Sequence, residues 1–444
     1  MTVKVRFAPA PTGRLHVGNV RTALVNWLYA RHEGGRFVLR IDDTDLERST
    51  KEYEEGIQQD LTWLGLTWDE KDNQSARFPT YQLAVERLKA QGRLYPAYET
   101  SEELDRRRKV ALAQGKPPVY DRAALKLSEA DRKQLEAEGR RPHWRFRLDG
   151  KRVHWDDLVK GSIEVDTASM SDPVLIREDG AFLYTLPSVA DDIDMGITHV
   201  IRGEDHVTNT GAQIEVFQAL GAAPPTFAHM PLLVGADGEA LSKRLGSLSI
   251  AQLREQGFEP LAIASHLGRI GTSEGMVAAP SMQALIDGFG FDRMGRHAAR
   301  YDPADLERIN AGVIHAMSYA EAQPRLAERD ADLGEAFWLA VRANLTLFDG
   351  VAVWAKVVRG PVEPLRDDPG FLAQAAALLP DHLTADAWTN WTAAVKEATG
   401  AKGKALFLPL RRALTGLDHG PEMGALLPLI GRETMLARLA GEIA

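Results

Sequence analysis

Not one cysteine occurs among the 444 residues, which excludes disulfides, thiol nucleophiles, iron–sulfur clusters and thiolate zinc sites. Any chemistry must run on oxygen, nitrogen and bound small molecules. No apolar run approaches the ~18 residues of a membrane span. The N-terminus lacks the basic, apolar and small-residue succession of a signal peptide, because VKVRFAP at 3–9 already reads as a strand. A cytoplasmic protein with no membrane partner is the expectation. No repeat at a fixed period stands out, and FLAQAAALL at 371–379 reads as a buried helix, not as low-complexity sequence. Positive charge is scarce overall, with a net −9 at pH 7, yet residues 104–153 hold fifteen Lys and Arg against seven Asp and Glu. A concentrated basic segment on an acidic chain localises phosphate binding to one face, unless it is simply a solvated helix surface around Arg106, Arg107, Arg108 and Lys109.

The chain is longer than one hydrophobic core serves and should divide into several compact units. Residues 3–8 and 36–42 (RFVLRID) read as buried strands, and between them Val20, Ala23, Leu24, Trp27 and Leu28 recur at helical spacing. A helical crossover predicts parallel strands, with a phosphate site at the carboxyl end of the first strand, where the helix begins. A second helix is predicted over 51–64. From 81 to 171 the texture turns charged and Gly/Pro-punctuated, which reads as an insertion. PVLIR and AFLYTL flank Asp179-Gly180 as a predicted hairpin, and THVIR and HMPLLV read as the sheet returning. After about Ile250 the pattern is helical, with Asp302-Pro303 an apt N-cap and N1 pair. Trp338, Val341, Leu345 and Phe348 predict one amphipathic helix and Trp388, Trp391 and Val395 another, their aromatic rings in the core.

The turn PAPTGRLHVGN at 9–19 places His16 at the predicted helix start. Helix-start amides and a nearby imidazole can hold triphosphate oxygens, while Gly18 lets a nucleotide approach the backbone. That suits His16 to charge stabilisation and not to nucleophilic attack. Much later, Lys243 stands in a stretch bracketed by Gly235, Gly238 and Gly246. A lysine there can follow charge that builds as pyrophosphate leaves. Taken singly, these residues are also explained as an ordinary helix entry and a surface-loop lysine.

In order along the chain, PAPTGRLHVGN, RIDDTDLERS (40–49), VIRGED (200–205), HMPLL (229–233) and ALSKR (240–244) resemble the bacterial-type glutamyl-tRNA synthetase family of class I aminoacyl-tRNA synthetases. LFLPLRRALTGLDHGPEMGALLPLIGRETMLARL at 406–439 resembles that family's C-terminal helical region. The resemblance implies an α/β Rossmann-type class I catalytic domain with an α+β insertion, followed by all-α C-terminal domains. Its expected parts are a first catalytic half at 1–80, an inserted tRNA acceptor-end-binding domain at 81–170, a second catalytic half at 171–238, a stem-contact domain with the LSKR loop at 239–318, and a helical anticodon-binding region at 319–444. The implied reaction is ligation of L-glutamate to tRNA(Glu) through a glutamyl-adenylate, with ATP and Mg²⁺. His16 and Lys243 would be catalytic. Pro9, Thr12, Gly13, Gly18, Asn19, Leu232, Leu233, Ser242 and Arg244 would join them around ATP, and Arg6, Ala8, Ala10, Asp42, Tyr184, Arg202 and Asp205 would form the glutamate pocket. Guanidinium groups at 6 and 202 suit substrate carboxylates, being permanently charged and able to form two parallel hydrogen bonds. Without the motif, Arg202 would read as half of a salt bridge with Glu204 or Asp205.

The basic residues 106–109 become tRNA candidates in this light, with Arg359, Arg366, Lys404, Arg411 and Arg412 added by charge and position. Departures from the family pattern are also visible. Ala10 stands where serine is usual, Asp42 where glutamate usually meets the substrate amino group, and Asn19 where the wider class often has histidine. Zinc-binding members carry cysteines in a Tyr-Pro-Cys-Tyr-Cys context; Tyr95-Pro96-Ala97-Tyr98-Glu99 stands there instead, so no zinc is expected. The resemblance further implies a monomer whose amino-acid activation waits for tRNA. Charging of tRNA(Gln) as well, or a regulatory tRNA-binding paralogue with a weakened pocket, are the alternatives. The shorter paralogue that modifies a tRNA base lacks the helical region found here, and a glutaminyl enzyme would end in β-barrels, whose alternating strands are absent from this sequence.

Overall fold

Strands β1 (Lys4–Phe7) and β2 (Arg36–Ile41) pair in parallel, Lys4 opposite Arg36, and helix α1 (Val17–His32) joins them, as the two periodicities predict. Helix α2 (Lys51–Trp63) leads to β3 (Glu70–Asn73), which pairs in parallel with β2. The structure is a computed structural model that describes residues 2–239, 241, 248–384 and 386–444. It divides into two compact units, one of residues 1–254, 264–276 and 281–302, the other of 255–263, 277–280 and 303–444.

In the first unit the chain continues through α3 (Phe78–Ala90), β4 (Leu94–Ala97), α4 (Ser101–Ala113), α5 (Glu129–Ala137), β5 (His143–Phe146), β6 (Arg152–Asp157), β7 (Gly161–Asp166) and β8 (Val174–Ile176). It then forms α6 (Thr185–Asp194), β9 (His199–Gly203), α7 (Val207–Ala219), β10 (Thr226–Met230), β11 (Leu233–Gly235) and β12 (Ala299–Tyr301). Strands β4, β5 and β8 make a small antiparallel sheet, while β7, β6, β10 and β9 make a mixed one. β1 runs beside β9, with the Thr198 N–H donating to the Lys4 carbonyl at 2.9 Å. The hairpin β6–β7, which falls in the segment expected to be inserted, extends the sheet of β9 and β10, Asp157 lying opposite Phe227.

Four expectations need correction. AFLYTL does not form the second strand of a hairpin: only Phe182 bridges Ile176, and Thr185 already opens α6. The apolar spacing Leu186, Val189, Ile193 decides this, because it packs against Val85, Leu88, Val216 and Phe217 of α3 and α7. FLAQAAALL is amphipathic, burying Leu372, Ala375 and Leu379 but exposing Ala373, Gln374 and Leu378. The helix drawn through Trp338 to Phe348 stops at Val341 and continues as short 3₁₀ turns, although all four of its apolar residues are buried. Strand β12, which pairs with β11 with Leu233 opposite Ala299, lies in the stretch read as helical.

The second unit is helical, and Pro303 opens helix Pro303–Ala316 as the sequence predicts. Its core gathers Phe337, Trp338, Phe348, Trp391, Leu410, Leu426 and Met435. Among the described residues, no single helix is long and apolar enough to cross a membrane.

Candidate active site

His16 is the N-cap of α1, in extended backbone conformation, and its Nδ1 accepts the N–H groups of Gly18 at 3.1 Å and Asn19 at 3.4 Å. The helix-start amides expected to face a phosphate are therefore taken by the imidazole itself. A ring nitrogen that accepts two N–H groups carries no proton, and burial lowers the His16 pKa below 6.5. The ring is neutral, with its proton on Nε2, and Nε2 is the donor left for a ligand. The glycine at 18 leaves this ring its place: a Cβ there would stand 3.0 Å from His16 Cε1, so the imidazole would have to give way.

A cavity of about 600 Å³ opens at the carboxyl ends of β1, β9 and β10. It brings together Arg6, Ala8, Pro9, Ala10, His16, Gly18, Asn19, Tyr184, Arg202, Asp205, Leu232 and Leu233 of the expected site. Thr12 and Gly13 line a neighbouring cavity of about 690 Å³ that shares Pro9, Ala10, His16 and Asn19. Ser242, Lys243 and Arg244 lie outside the described residues. The described residues that flank them do meet the site: Leu241 lines the first cavity, Ser249 the second, and Ser249 bridges His16. Asp42 is not brought to either cavity; one methylene shorter than glutamate, its carboxylate lies against Arg40, accepting from Nε at 2.7 Å and Nη2 at 3.1 Å. Burial pushes its pKa up against the pull of that guanidinium.

Arg202 is buried and forms no ion pair with any carboxylate among the described residues. Four of its five N–H groups are already spent: Nε on His229 Nε2 (3.4 Å), one of Nη1 on the Tyr184 hydroxyl (3.0 Å), and both of Nη2 on Thr210 Oγ1 (2.6 Å) and Gln213 Oε1 (2.7 Å). The alternative salt bridge does not form, because Glu204 is held by Lys160 and Asp205 lies 3.7 Å from His206 Nε2. Nor is a two-bond fork free at Arg202: one Nη1 N–H remains, next to the Tyr184 hydroxyl. Arg6 differs. Its Nε donates to Asp192 Oδ1 at 3.1 Å, and among the described residues neither Nη group has a partner, so its end-on fork is open.

Several residues here were not singled out by sequence reasoning. Arg21, Thr22, Arg40 and His206 line the cavity, and Asp191 and Asp192 of α6 stand behind it. Asp192 Oδ1 also accepts from Arg40 Nη1 at 2.9 Å, while Asp191 accepts from Gln74 (2.8 Å), Arg77 (2.7 Å) and the Tyr81 hydroxyl (2.8 Å). The available signal was two successive acids inside an apolar helical pattern, VADDID.

Away from the cavity, Arg106, Arg108 and Lys109 are exposed on α4, which buries no residue, and have no partner among the described residues; Arg107 reaches Glu99 and Asp121 at 3.3 Å. Glu99, standing where a zinc ligand would be, also accepts from the Tyr120 hydroxyl at 2.9 Å. In the second unit Arg359 is paired with Asp330, and Arg412 with Asp367 and Asp418. Lys404 is exposed. Arg411 lines a cavity of about 660 Å³ with Trp388, Phe407 and Met423.

Two family descriptions match this chain: tRNA synthetases class I (E and Q), catalytic domain, over residues 2–307, and anticodon binding domain over residues 367–443. The chain is 59% identical to glutamate-tRNA ligase 1 of Maricaulis maris (strain MCS10), covering 99% of this chain and 100% of that protein. It is 60% identical to glutamate-tRNA ligase 1 of Parvibaculum lavamentivorans, covering 98% of each. Its fold is similar to that of a glutamate tRNA ligase from Elizabethkingia meningosepticum, crystallised in complex with its amino acid, with a TM-score of 0.85, 27% identity, and coverage of 99% of this chain and 98% of that one.

Proposed function

Because the chain belongs to the class I family of glutamate and glutamine tRNA synthetases, we infer that the cavity around Arg6, His16 and Arg202 is where L-glutamate is activated and passed to tRNA. The protein charges tRNA with L-glutamate, using ATP. The observation that carries the site assignment is Arg202: a buried guanidinium without a protein carboxylate is costly unless an anion completes it, and a substrate carboxylate does so.

One substrate carboxylate meets the open fork of Arg6, and the other meets the remaining Arg202 N–H together with the Tyr184 hydroxyl. The substrate ammonium is matched by Asp42 once that carboxylate turns off Arg40, which Asp192 continues to hold. Ala8 and Ala10 shape the pocket wall beside Asp205. Pro9, Thr12, Gly13, Gly18, Asn19, Leu232 and Leu233 surround ATP, and Ser242, Lys243 and Arg244 serve its phosphates. The α-carboxylate of glutamate attacks the α-phosphorus, pyrophosphate leaves, and the terminal ribose hydroxyl of the tRNA then takes the glutamyl group, releasing AMP. His16 Nε2–H and Lys243 stabilise the charge that develops, so catalysis is positioning and electrostatics. Mg²⁺ bound to ATP would neutralise the triphosphate charge.

Arg106, Arg108 and Lys109 bind the tRNA backbone, and the cavity of Trp388, Phe407 and Arg411 receives unstacked bases. The enzyme works as a cytoplasmic monomer on tRNA(Glu). The test is glutamylation of purified tRNA(Glu) and tRNA(Gln), separately, with wild type and Arg202→Ala. Charging of tRNA(Glu) that Arg202→Ala depresses at least about tenfold in kcat/KM is expected. Charging of neither tRNA overturns the assignment, and charging of both makes the enzyme nondiscriminating.

A further inference from the structure

His229, on β10, is wholly buried and does not line the cavity. On one side its Nδ1 lies 2.5 Å from Asp157 Oδ2, at the end of β6. On the other its Nε2 lies 3.4 Å from Arg202 Nε and 2.9 Å from Thr210 Oγ1. The Asp157 carboxylate cannot rotate away, because Oδ1 accepts the N–H groups of His229 (3.0 Å), Val159 (3.1 Å) and Lys160 (3.0 Å). Burial alone would raise the Asp157 pKa, but the hydrogen bond from the His229 ring and those from the backbone N–H groups of Lys160 and His229 outweigh it and hold the group at about 2. Asp157 is therefore an acceptor under all working conditions, and the proton of His229 must sit on Nδ1. Burial lowers His229 more than Asp157 raises it, and Arg202 and Lys160 oppose its protonation as well. Its Nε2 is left as a lone pair, in the low-dielectric interior, facing two donors, the Thr210 hydroxyl at 2.9 Å and the Arg202 Nε–H at 3.4 Å.

We propose that Asp157 and His229 are positioning residues for glutamate: Asp157 fixes the tautomer of His229, and His229 Nε2 accepts from Arg202 Nε, so that the guanidinium presents its one free Nη1 N–H to the substrate carboxylate. This rests on Arg202 being a carboxylate ligand. Neither residue touches substrate. What they supply is the aim of a side chain that has no ion pair to hold it, which is the part second-layer hydrogen bonds play at preorganised sites. Thr210 and Gln213 anchor Nη2, and without the Nε contact the plane of the guanidinium could turn about that edge.

Asp157→Asn tests this with nearly unchanged shape. Asparagine can still accept the three amide N–H groups through Oδ1, but it presents an N–H to His229 Nδ1. The imidazole proton then moves to Nε2, where it opposes the Arg202 Nε–H donor to donor. The KM for glutamate should rise at least about tenfold while the KM for ATP and the melting temperature change little. A second pair separates the two contacts of the ring. His229→Gln can place a carbonyl near the Nε2 position and keep an acceptor for Arg202, whereas His229→Asn keeps only the donor to Asp157. Glutamine should therefore retain more glutamate affinity than asparagine, and this comparison decides if Asp157→Asn does not fold. Arg202→Ala is measured alongside. If it raises the glutamate KM but Asp157→Asn does not, or the two His229 variants are equal, the positioning role falls and the pocket assignment stands. If Arg202→Ala also leaves the KM unchanged, the pocket assignment falls with it.

Discussion

Alanine at position 18 would place its Cβ 3.0 Å from His16 Cε1 and 3.1 Å from Nδ1, closer than an unmoved ring allows. The imidazole is held by two backbone N–H groups, so it must shift, and Nε2 shifts with it. Alanine within a helix is otherwise favourable by up to about 1 kcal/mol over glycine. Gly18→Ala should therefore lower kcat for adenylate formation by roughly tenfold to a hundredfold, the scale of a misplaced catalytic group, without lowering the melting temperature. A melt that falls with the activity would mean that the fold, not the ring, was disturbed. That His16 and Arg202 line one cavity was legible from the motifs that carry them, at a helix start and a strand, while Arg6 and Tyr184 came from the resemblance alone. The state of Arg202 was not legible, since its partners come from residues 184, 210, 213 and 229 and only the fold counts its donors. Asp42 shows the reverse case: the missing methylene is visible in the sequence, but its turn onto Arg40 is not.

Helix α6 works at the scale of an element. Its two central acids hold the layer of cations behind the pocket: Asp191 joins Gln74, Arg77 and Tyr81, and Asp192 joins Arg6 and Arg40. Asp191 has no exposed side-chain surface and Arg77 keeps only 14% of its own exposed, so neutralising the acid removes a partner from a guanidinium and a phenol at once. Asp191→Asn is expected to cost about 3–5 kcal/mol, read as a lower urea midpoint with an unchanged slope. A loss under about 1 kcal/mol would mean that Asp72 and Asp194, which also pair with Arg77, suffice. The sequence suggested a strand here because Phe182, Leu183 and Tyr184 read as strand formers, and the helical spacing declares itself only from Leu186 onward. By contrast β1 and β2 were legible as short, continuously apolar runs, and α1 by the helical spacing of Val20, Ala23, Leu24, Trp27 and Leu28 between them.

Across the first unit, burial lowers the pKa of His16, His143, His199, His206 and His229. An unfolded chain takes up these protons near pH ~6.5, while the folded unit resists them to lower pH. Just below ~6.5 the unfolded state thus binds more protons, so this part of the stability is complete above that pH and is lost as pH falls toward the folded values. The denaturant midpoint of the first unit should be lower at pH ~5.5 than at ~7.5; equal midpoints would contradict these burial shifts. The broad architecture was legible from the switch of hydrophobic period near Ile250, whereas the course of the segment 81–170 was not, because strand order within a sheet leaves no local trace in sequence. One register in that segment bears on how it is attached. β4 and β5 set Ala97 opposite His143, so residues 98–142 leave and return through adjacent positions of a single sheet, as a tight turn would. A lineage can lengthen, trim or exchange that excursion without altering the order of any strand. Arg106, Arg108 and Lys109, proposed to meet RNA, lie on that excursion and Arg6 and Arg202 do not, so a change in one need not disturb the other.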